Sequence, residues 1–258
     1  MVHTYLVTAK HCVERAKEYG FLYLRLNRTD GRGVELLELP PDWVYPDDES
    51  VDAAVLEWQI NDADLGLLVH CLPVHVWAIG QEGRQNLGIG IGNELLAVGL
   101  FTQRTGNQRN IPIVRKGIIA AMPEEPLQDR ETGLEYHGYL AEMLSIGGLS
   151  GSPVFVELFN FPPVGLPSTV FQVYLQSWRS FYLLGLIRNH WQYDKKSGPV
   201  AFGKNEEPVN LGIAVVTPFD AVMELLYRDD FTKERRRADL ELLKETAPLL
   251  DAAEQQKR

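Results

Sequence analysis

Short apolar runs separated by turns rich in glycine, proline and aspartate recur along most of this chain. Residues 21–26 and 34–39 alternate large apolar residues with other types and flank an Asp-Gly-Arg-Gly turn, so they predict a β-hairpin. Frequent turns between short strands are typical of an all-β protein. Further strands are predicted at residues 94–99, 114–119, 181–187 and 210–218.

The end of the chain follows a helical pattern instead. Residues 218–226 predict a short helix after the final strand, and residues 232–258 carry apolar side chains at helical spacing, interrupted at Pro248. We expect this C-terminal helix to pack on the preceding barrel or on a protein partner. Residues 160–180, which contain several prolines, predict a surface insertion.

Composition narrows the class of protein and partner. A chain of 258 residues is long enough for one two-barrel unit or for two small domains, and it can bury a substantial core. The net charge of −10 argues against a nucleic-acid partner, because phosphate binding requires clustered Lys and Arg. No apolar run reaches the length of a membrane-spanning helix, and residues 1–5 lack the features of a signal peptide. We therefore expect no membrane association and a cytoplasmic location.

The two cysteines, Cys12 and Cys71, are too few for a disulfide framework, which suits a reducing compartment. We expect free thiols, with Cys12 as a small buried apolar residue. A bridge between the two cysteines is the alternative.

One segment carries a candidate nucleophile. Residues 147–155, Gly-Gly-Leu-Ser-Gly-Ser-Pro-Val-Phe, place Ser150 in a sharp turn directly before an apolar strand. Glycines on both sides allow positive φ angles and leave backbone N–H groups available to a developing oxyanion. A serine in a glycine-rich turn is more often a turn former. The interpretation therefore requires a histidine base and a carboxylate elsewhere in the chain.

Both partners occur upstream. The β-type run that starts at Leu6 is expected to deliver His11 at its end, and Asp52 stands at the mouth of the apolar strand 53–56. A histidine takes the proton of the serine hydroxyl, and the carboxylate orients the ring. The chain order His11, Asp52, Ser150 differs from the orders found in α/β-hydrolases and subtilisins.

These three segments resemble the motifs of trypsin-like serine peptidases of the chymotrypsin fold. Residues 8–12, Thr-Ala-Lys-His-Cys, are similar to the T-A-x-H-C signature of that family, and residues 52–56 to its D-x-A-x-L strand. Residues 148–153, Gly-Leu-Ser-Gly-Ser-Pro, are similar to G-x-S-G-[GS]-P, in a version more typical of the bacterial branch. The resemblance spans roughly residues 5 to 226.

The resemblance implies two six-stranded antiparallel β-barrels followed by a helix. An N-terminal barrel at residues 1–105 would carry His11 and Asp52, and a C-terminal barrel at residues 106–217 would carry Ser150. Residues 218–258 would form the helical segment. Relatives carry at least one strand before the T-A-x-H strand, so the first barrel of this chain is expected to lack its opening strand.

Asp64 is a rival to Asp52, because residues 64–68 also place an aspartate before an apolar strand. We favour Asp52, since Ala54 fits the family strand better than Gly66 fits it in the rival segment. The remaining histidines are expected to be structural: His3, His70, His75, His137 and His190.

The resemblance also assigns the rest of the site. The backbone N–H groups of Gly148 and Ser150 would form the oxyanion hole, and no metal or organic cofactor is implied. An uncharged Leu144 at the base of the specificity pocket favours an uncharged substrate side chain. Arg188 would border the bound peptide, or it is a surface arginine without a functional contact. The predicted substrate-contacting residues are Leu144, Gly185, Ile187 and Arg188.

The sequence thus predicts a serine endopeptidase that acts on a peptide or protein substrate through an acyl-enzyme. An impaired trypsin-like scaffold that binds peptides is the alternative, and the absent opening strand favours it. A third hypothesis is an esterase with the same triad on another fold, which the chain order of the three residues disfavours.

Overall fold

The computed structural model describes residues 2–31, 33–58, 65–101, 104–129, 132–144, 148–159, 179–192 and 210–255. Asp64 and most of the predicted insertion at 160–180 lie outside these residues. The strands are β1 (Tyr5–Thr8), β2 (Tyr23–Arg28), β3 (Val34–Glu38), β4 (Ala54–Glu57), β5 (Leu67–Leu68), β6 (Glu94–Leu100), β7 (Pro112–Ala121), β8 (Leu127–Gln128), β9 (Glu135–Tyr136), β10 (Tyr139–Glu142), β11 (Pro153–Phe159), β12 (Arg179–Gln192) and β13 (Asn210–Pro218). The helices are α1 (Lys10–Glu18), α2 (Val74–Trp77), α3 (Gln81–Asn86), α4 (Phe219–Tyr227) and α5 (Asp229–Gln255).

Six strands form a closed antiparallel barrel in the order β6, β7, β10, β13, β12, β11 and back to β6. Successive side chains of a strand point to opposite faces, so alternate residues of each strand fill one shared interior. The interior is almost entirely aliphatic, as expected for a small barrel whose lumen is filled by side chains. Its fully buried members include Leu95, Ile119, Val154 and Leu184.

The barrel begins earlier in the chain than the sequence predicts. The predicted boundary near residue 105 assigns β6 to an N-terminal barrel, whereas β6 pairs with β7 and β11 of the closed barrel. Leu95 and Ala97 of β6 are buried in its interior. An alternating pattern specifies a strand but not its partner, and the β11 partner of β6 lies far along the chain.

The strands before β6 form two small sheets. β1 pairs with β4, and β2 pairs with both β3 and β5. The β2–β3 pair confirms the predicted hairpin, with Leu24 opposite Leu37. Among the strands that the structure describes, these sheets do not close into a second barrel.

The outer face of β12 joins the N-terminal sheets to the barrel. Leu183 and Leu186 of β12 pack in one cluster with Val55 of β4 and Phe219 of α4. The segment that enters β4, which contains Asp52, therefore lies beside the barrel.

The predicted C-terminal helices are confirmed. α5 includes Pro248, where the sequence predicts an interruption. Its first turns pack on the N-terminal strand β1, because the rings of Phe231 and Tyr5 meet edge to face at 5.6 Å and Arg235 donates to the Tyr5 hydroxyl. No helix of the described residues is long and apolar enough to cross a membrane.

Candidate active site

The pairing of β1 with β4 brings His11 and Asp52 together. Thr8, at the end of β1, lies opposite Ala54, at the start of β4. Because the strands are antiparallel, the residues that follow Thr8 and those that precede Ala54 lie at the same end of the sheet. His11 and Asp52 both belong to these flanking segments.

His11 lies in the first turn of a helix, which corrects the predicted strand. The chain leaves β1 at Thr8, Ala9 is extended, and α1 begins at Lys10. The β-branched run ends at Thr8, and the residues after it have the spacing of an amphipathic helix, with Val13 fully buried on its inner face.

Asp52 holds His11 through two hydrogen bonds. The Nδ1–H of the imidazole donates to Oδ2 of Asp52 at 2.7 Å, and the backbone N–H of His11 donates to Oδ1 at 3.0 Å. The Asp52 side chain is 8% exposed and that of His11 is 39% exposed. With Nδ1 protonated, Nε2 of the neutral ring is the proton acceptor. Sγ of Cys12 lies 3.6 Å from this Nε2.

The environment shifts the pKa of both groups. Burial raises the pKa of Asp52, but the hydrogen bonds from His11 and the positive charges of His11 and Arg188 outweigh burial and hold this pKa below 3.8. The hydrogen bond to Asp52 is the largest cause that raises the pKa of His11 above 6.5, with a further contribution from Cys12. Each partner thus favours the charged form of the other.

Ser150 lies in a tight turn just before β11. Gly148 and Gly151 have positive φ angles of 95° and 78°, and the backbone N–H of Ser152 donates to the Leu149 carbonyl at 3.0 Å. The N–H of Gly151 donates to the carbonyl of Ile187 at 2.8 Å, which attaches the turn to β12.

Gly151 packs this turn against the segment that leads to His11. A Cβ atom at position 151 would clash with Oγ1 of Thr8 and lie 3.0 Å from the backbone nitrogen of Ala9. The Ser150 turn therefore lies against the junction of β1 and α1, and His11 follows this junction directly. The contact brings all three predicted residues into one region of the molecule.

The Ser150 hydroxyl does not bond to the histidine in this structure. Its Oγ–H donates to the carbonyl oxygen of Arg188 at 3.1 Å. Of the described side chains, it is Cys12 whose polar atom lies within hydrogen-bond distance of the His11 Nε2.

Neither a scan against protein-family models nor a search of the curated proteins finds a match for this chain.

The other predicted site residues have different surroundings. Gly148 and Ser150, the predicted oxyanion donors, flank Leu149, whose side chain is buried in the barrel core. Leu144 is 55% exposed, at the edge of the undescribed residues 145–147. Ile187 lies in the barrel core and is 1% exposed.

Gly185 and Arg188 are both engaged in contacts within the protein. A Cβ atom at Gly185 would clash with the carbonyl oxygen of Thr217, so this glycine permits close pairing of β12 with β13. The Arg188 guanidinium donates to the carbonyl of Ser50 and to Asp129. Of the four residues predicted to contact substrate, Leu144 is the one with an exposed side chain.

Cys12 and Cys71 are both free thiols. Over the described residues, no group of three or more His, Cys, Asp or Glu side chains is arranged to hold a metal ion. Asp64, the predicted rival of Asp52, lies outside the described residues.

Asp129 and Tyr136 are the neighbours of the site that sequence reasoning missed. Asp129 binds Arg188, and the Tyr136 ring lies under the Arg188 guanidinium. Asp129 follows β8 in the turn of the short β8–β9 hairpin, Tyr136 belongs to β9, and no motif marks them in the sequence. An open cavity of about 1110 Å³ is lined by Tyr136, Arg188 and Ser50 among others.

Proposed function

We propose that this chain is a serine-type endopeptidase that hydrolyses peptide bonds through an acyl-enzyme formed on Ser150. One observation carries the proposal. The His11–Asp52 pair is fixed by two hydrogen bonds, and the glycine turn with Ser150 packs on the residues that lead to His11. A weak hydroxyl nucleophile needs this combination of a base and a carboxylate that orients it.

In the proposed reaction, Nε2 of the neutral form of His11, whose fraction rises as pH approaches the raised pKa, takes the hydroxyl proton as Oγ of Ser150 attacks the substrate carbonyl carbon. Asp52 keeps the proton on Nδ1 and stabilises the imidazolium that forms. The N–H groups of Gly148 and Ser150 would stabilise the oxyanion, a contribution of about 3–4 kcal/mol per donor. His11 then gives its proton to the leaving amine, and water hydrolyses the acyl-enzyme with His11 again as base.

The Ser150 hydroxyl must rotate for this reaction. In the present arrangement it donates to the Arg188 carbonyl, and the Cys12 thiol contacts the Nε2 that has to accept the proton. A rotation about the Cα–Cβ bond of Ser150 moves its Oγ between staggered positions. We expect the reactive position to form when substrate occupies the site.

The hydrogen bond from the Ser150 hydroxyl to the Arg188 carbonyl supports a second candidate function. If the Ser150 hydroxyl stays on Arg188, the site binds a peptide without cleaving it, and the chain is an interaction module on an impaired trypsin-like scaffold. The two candidates differ in turnover and share the binding of an extended peptide.

A mixture of peptides of defined sequence tests the proposal. We expect mass spectrometry to detect cleavage products with the native chain and none with Ser150→Ala. Ser152→Ala is the matched control, because it removes the neighbouring hydroxyl of the same turn and should retain cleavage. Peptides that are retained on the immobilised protein but not cleaved would favour the interaction module. Cleavage that persists in Ser150→Ala would exclude Ser150 as the nucleophile.

A further inference from the structure

Arg188 contacts both halves of the candidate site. Its backbone carbonyl accepts the hydrogen bond of the Ser150 hydroxyl at 3.1 Å. Its side chain reaches the segment of Asp52, since Nη1 donates to the carbonyl of Ser50 at 2.7 Å. One residue on β12 thus joins the turn of the candidate nucleophile to the loop that carries the candidate carboxylate.

The Arg188 guanidinium also contacts Asp129 and Tyr136. Nη2 donates to Oδ2 of Asp129 at 3.0 Å, and Cζ lies 3.9 Å from the centre of the Tyr136 ring. The Arg188 side chain is 13% exposed and that of Asp129 is 16% exposed. A planar guanidinium with a carboxylate, a carbonyl and an aromatic face around it has little freedom to turn toward a substrate.

The charge of Arg188 also acts on Asp52. Together with His11, this cation helps to hold the pKa of the carboxyl below its ordinary value. Among the causes that lower the pKa of Asp52, the charge of Arg188 is the smallest. The largest cause that raises the pKa of His11 is its hydrogen bond to Asp52. The direct contact between Arg188 and the segment of Asp52 is the hydrogen bond to the Ser50 carbonyl.

We propose that Arg188 is a positioning residue of the site, which fixes the Ser50–Asp52 segment relative to the Ser150 turn so that Asp52 can hold the His11 ring. This inference rests on the proposed function for its catalytic consequence. It replaces the sequence-based interpretation of Arg188 as a substrate contact.

Arg84 supplies a matched control. Its guanidinium is also buried, pairs with Asp220, donates to the Ile79 carbonyl and lies over a tyrosine ring, that of Tyr139. None of these partners belongs to the candidate triad. Arg84→Met therefore removes a comparable set of contacts and reports the general cost of losing a buried arginine.

The first measurement is an NMR titration of the His11 imidazole in the native chain, Arg188→Met and Arg84→Met, with His11→Ala to assign the signal. The groups that set this titration are Asp52 and Cys12 beside the ring, Arg188 near Asp52, and Asp129 and Tyr136 around Arg188. We expect the His11 pKa to fall toward 6.5 in Arg188→Met, because a looser Asp52 loses its hydrogen bond to the ring. Arg84→Met should leave the pKa unchanged.

The direction in which the His11 pKa shifts distinguishes a positioning role of Arg188 from a purely electrostatic one. A purely electrostatic role of Arg188 would raise the His11 pKa further, since removing a nearby cation removes its repulsion of the imidazolium. That result, or an unchanged pKa, would overturn the positioning role. The titration does not depend on turnover, so it decides the point even if Ser150 proves unreactive.

The second measurement is the rate at which a fluorophosphonate labels Ser150. We expect Arg188→Met to lower the maximal labelling rate by about 10²-fold, as small misplacements of catalytic groups do, with little change in the half-saturating concentration. Arg188→Lys, which keeps the charge but not the planar fork, should also lower the rate, and it serves as the test if the methionine variant does not fold. Unchanged labelling in both variants would contradict the inference, whereas no labelling of the native chain would instead count against the proposed function.

Discussion

At the scale of single residues, Gly151 decides whether the candidate nucleophile can lie near its base. Its φ angle of 78° belongs to the left-handed region, and Thr8 and Ala9 occupy the space that a side chain would need. Two separate demands therefore select glycine at this position, one from the backbone conformation and one from packing.

We expect Gly151→Ala to destabilise the fold and to abolish reaction at Ser150. A left-handed conformation costs an L-residue about 1–2 kcal/mol, and the clash with Thr8 adds about 1–3 kcal/mol of overpacking. Gly20→Ala is the control, because Gly20 has a φ of 82° with no atom within 4 Å of an added Cβ. Urea unfolding should give a larger loss for position 151, and equal losses at both positions would show that the Thr8 contact is unimportant.

Residue roles were only partly predictable from the sequence. The motifs around His11, Asp52 and Ser150 pointed to three residues that the fold brings into one region. The role of Arg188 was not visible, because Ser50 and Asp129 lie far from it in the chain and carry no motif. Ile187, predicted to line a pocket, lies in the barrel core together with Leu184. The pairing of β12 with β11 shifts register between Leu183 and Gly185, so simple alternation along the strand does not give the direction of this side chain.

At the scale of elements, the alternating pattern predicted where strands occur better than which strands pair. The β2–β3 hairpin is local, and its turn sets its register. The assignment of β6 to the closed barrel depends on long-range pairing with β11, which no local pattern encodes. The end of β1 at Thr8 depends on the helix that follows it.

The place of β6 in the barrel core can be tested by substitution. We expect Leu95→Ala to lower the free energy of unfolding by about 2–5 kcal/mol, because Leu95 is fully buried and its removal leaves a cavity. Leu36→Ala on β3 is the control, since Leu36 is 60% exposed and its loss should cost about 0.5 kcal/mol or less. Similar small losses for both variants, measured by urea unfolding, would place β6 outside a packed core.

At the scale of the whole molecule, one closed barrel carries the Ser150 turn, and the N-terminal sheets bring His11 and Asp52 to it. The mostly β class and the C-terminal helix followed from the sequence. The predicted N-terminal barrel is not confirmed, because the described strands before β6 are short and pair in two small sheets.

The ion pair between His11 and Asp52 makes the free energy of unfolding depend on pH. The contribution of Asp52 is present above 3.8 and is lost as pH falls through its lowered pKa, while that of His11 is present below 6.5 and is lost as pH rises through its raised pKa. We expect the stability difference between the native chain and Asp52→Asn to be largest between pH 3.8 and 6.5 and to shrink on either side. Asp47→Asn, at an aspartate that is 88% exposed, is the matched control and should show little difference at any pH. Urea unfolding at a series of pH values measures the stability difference for each variant. A difference for Asp52→Asn that does not change with pH would contradict the linkage.

The central claim is that Ser150 is a nucleophile activated by His11 and Asp52. Peptide mapping by mass spectrometry after fluorophosphonate treatment tests it most directly. We expect one adduct on Ser150 in the native chain, with labelling slowed by about 10³-fold or more in His11→Ala and Asp52→Asn. An adduct on another residue, or no adduct in the folded protein, would contradict the account.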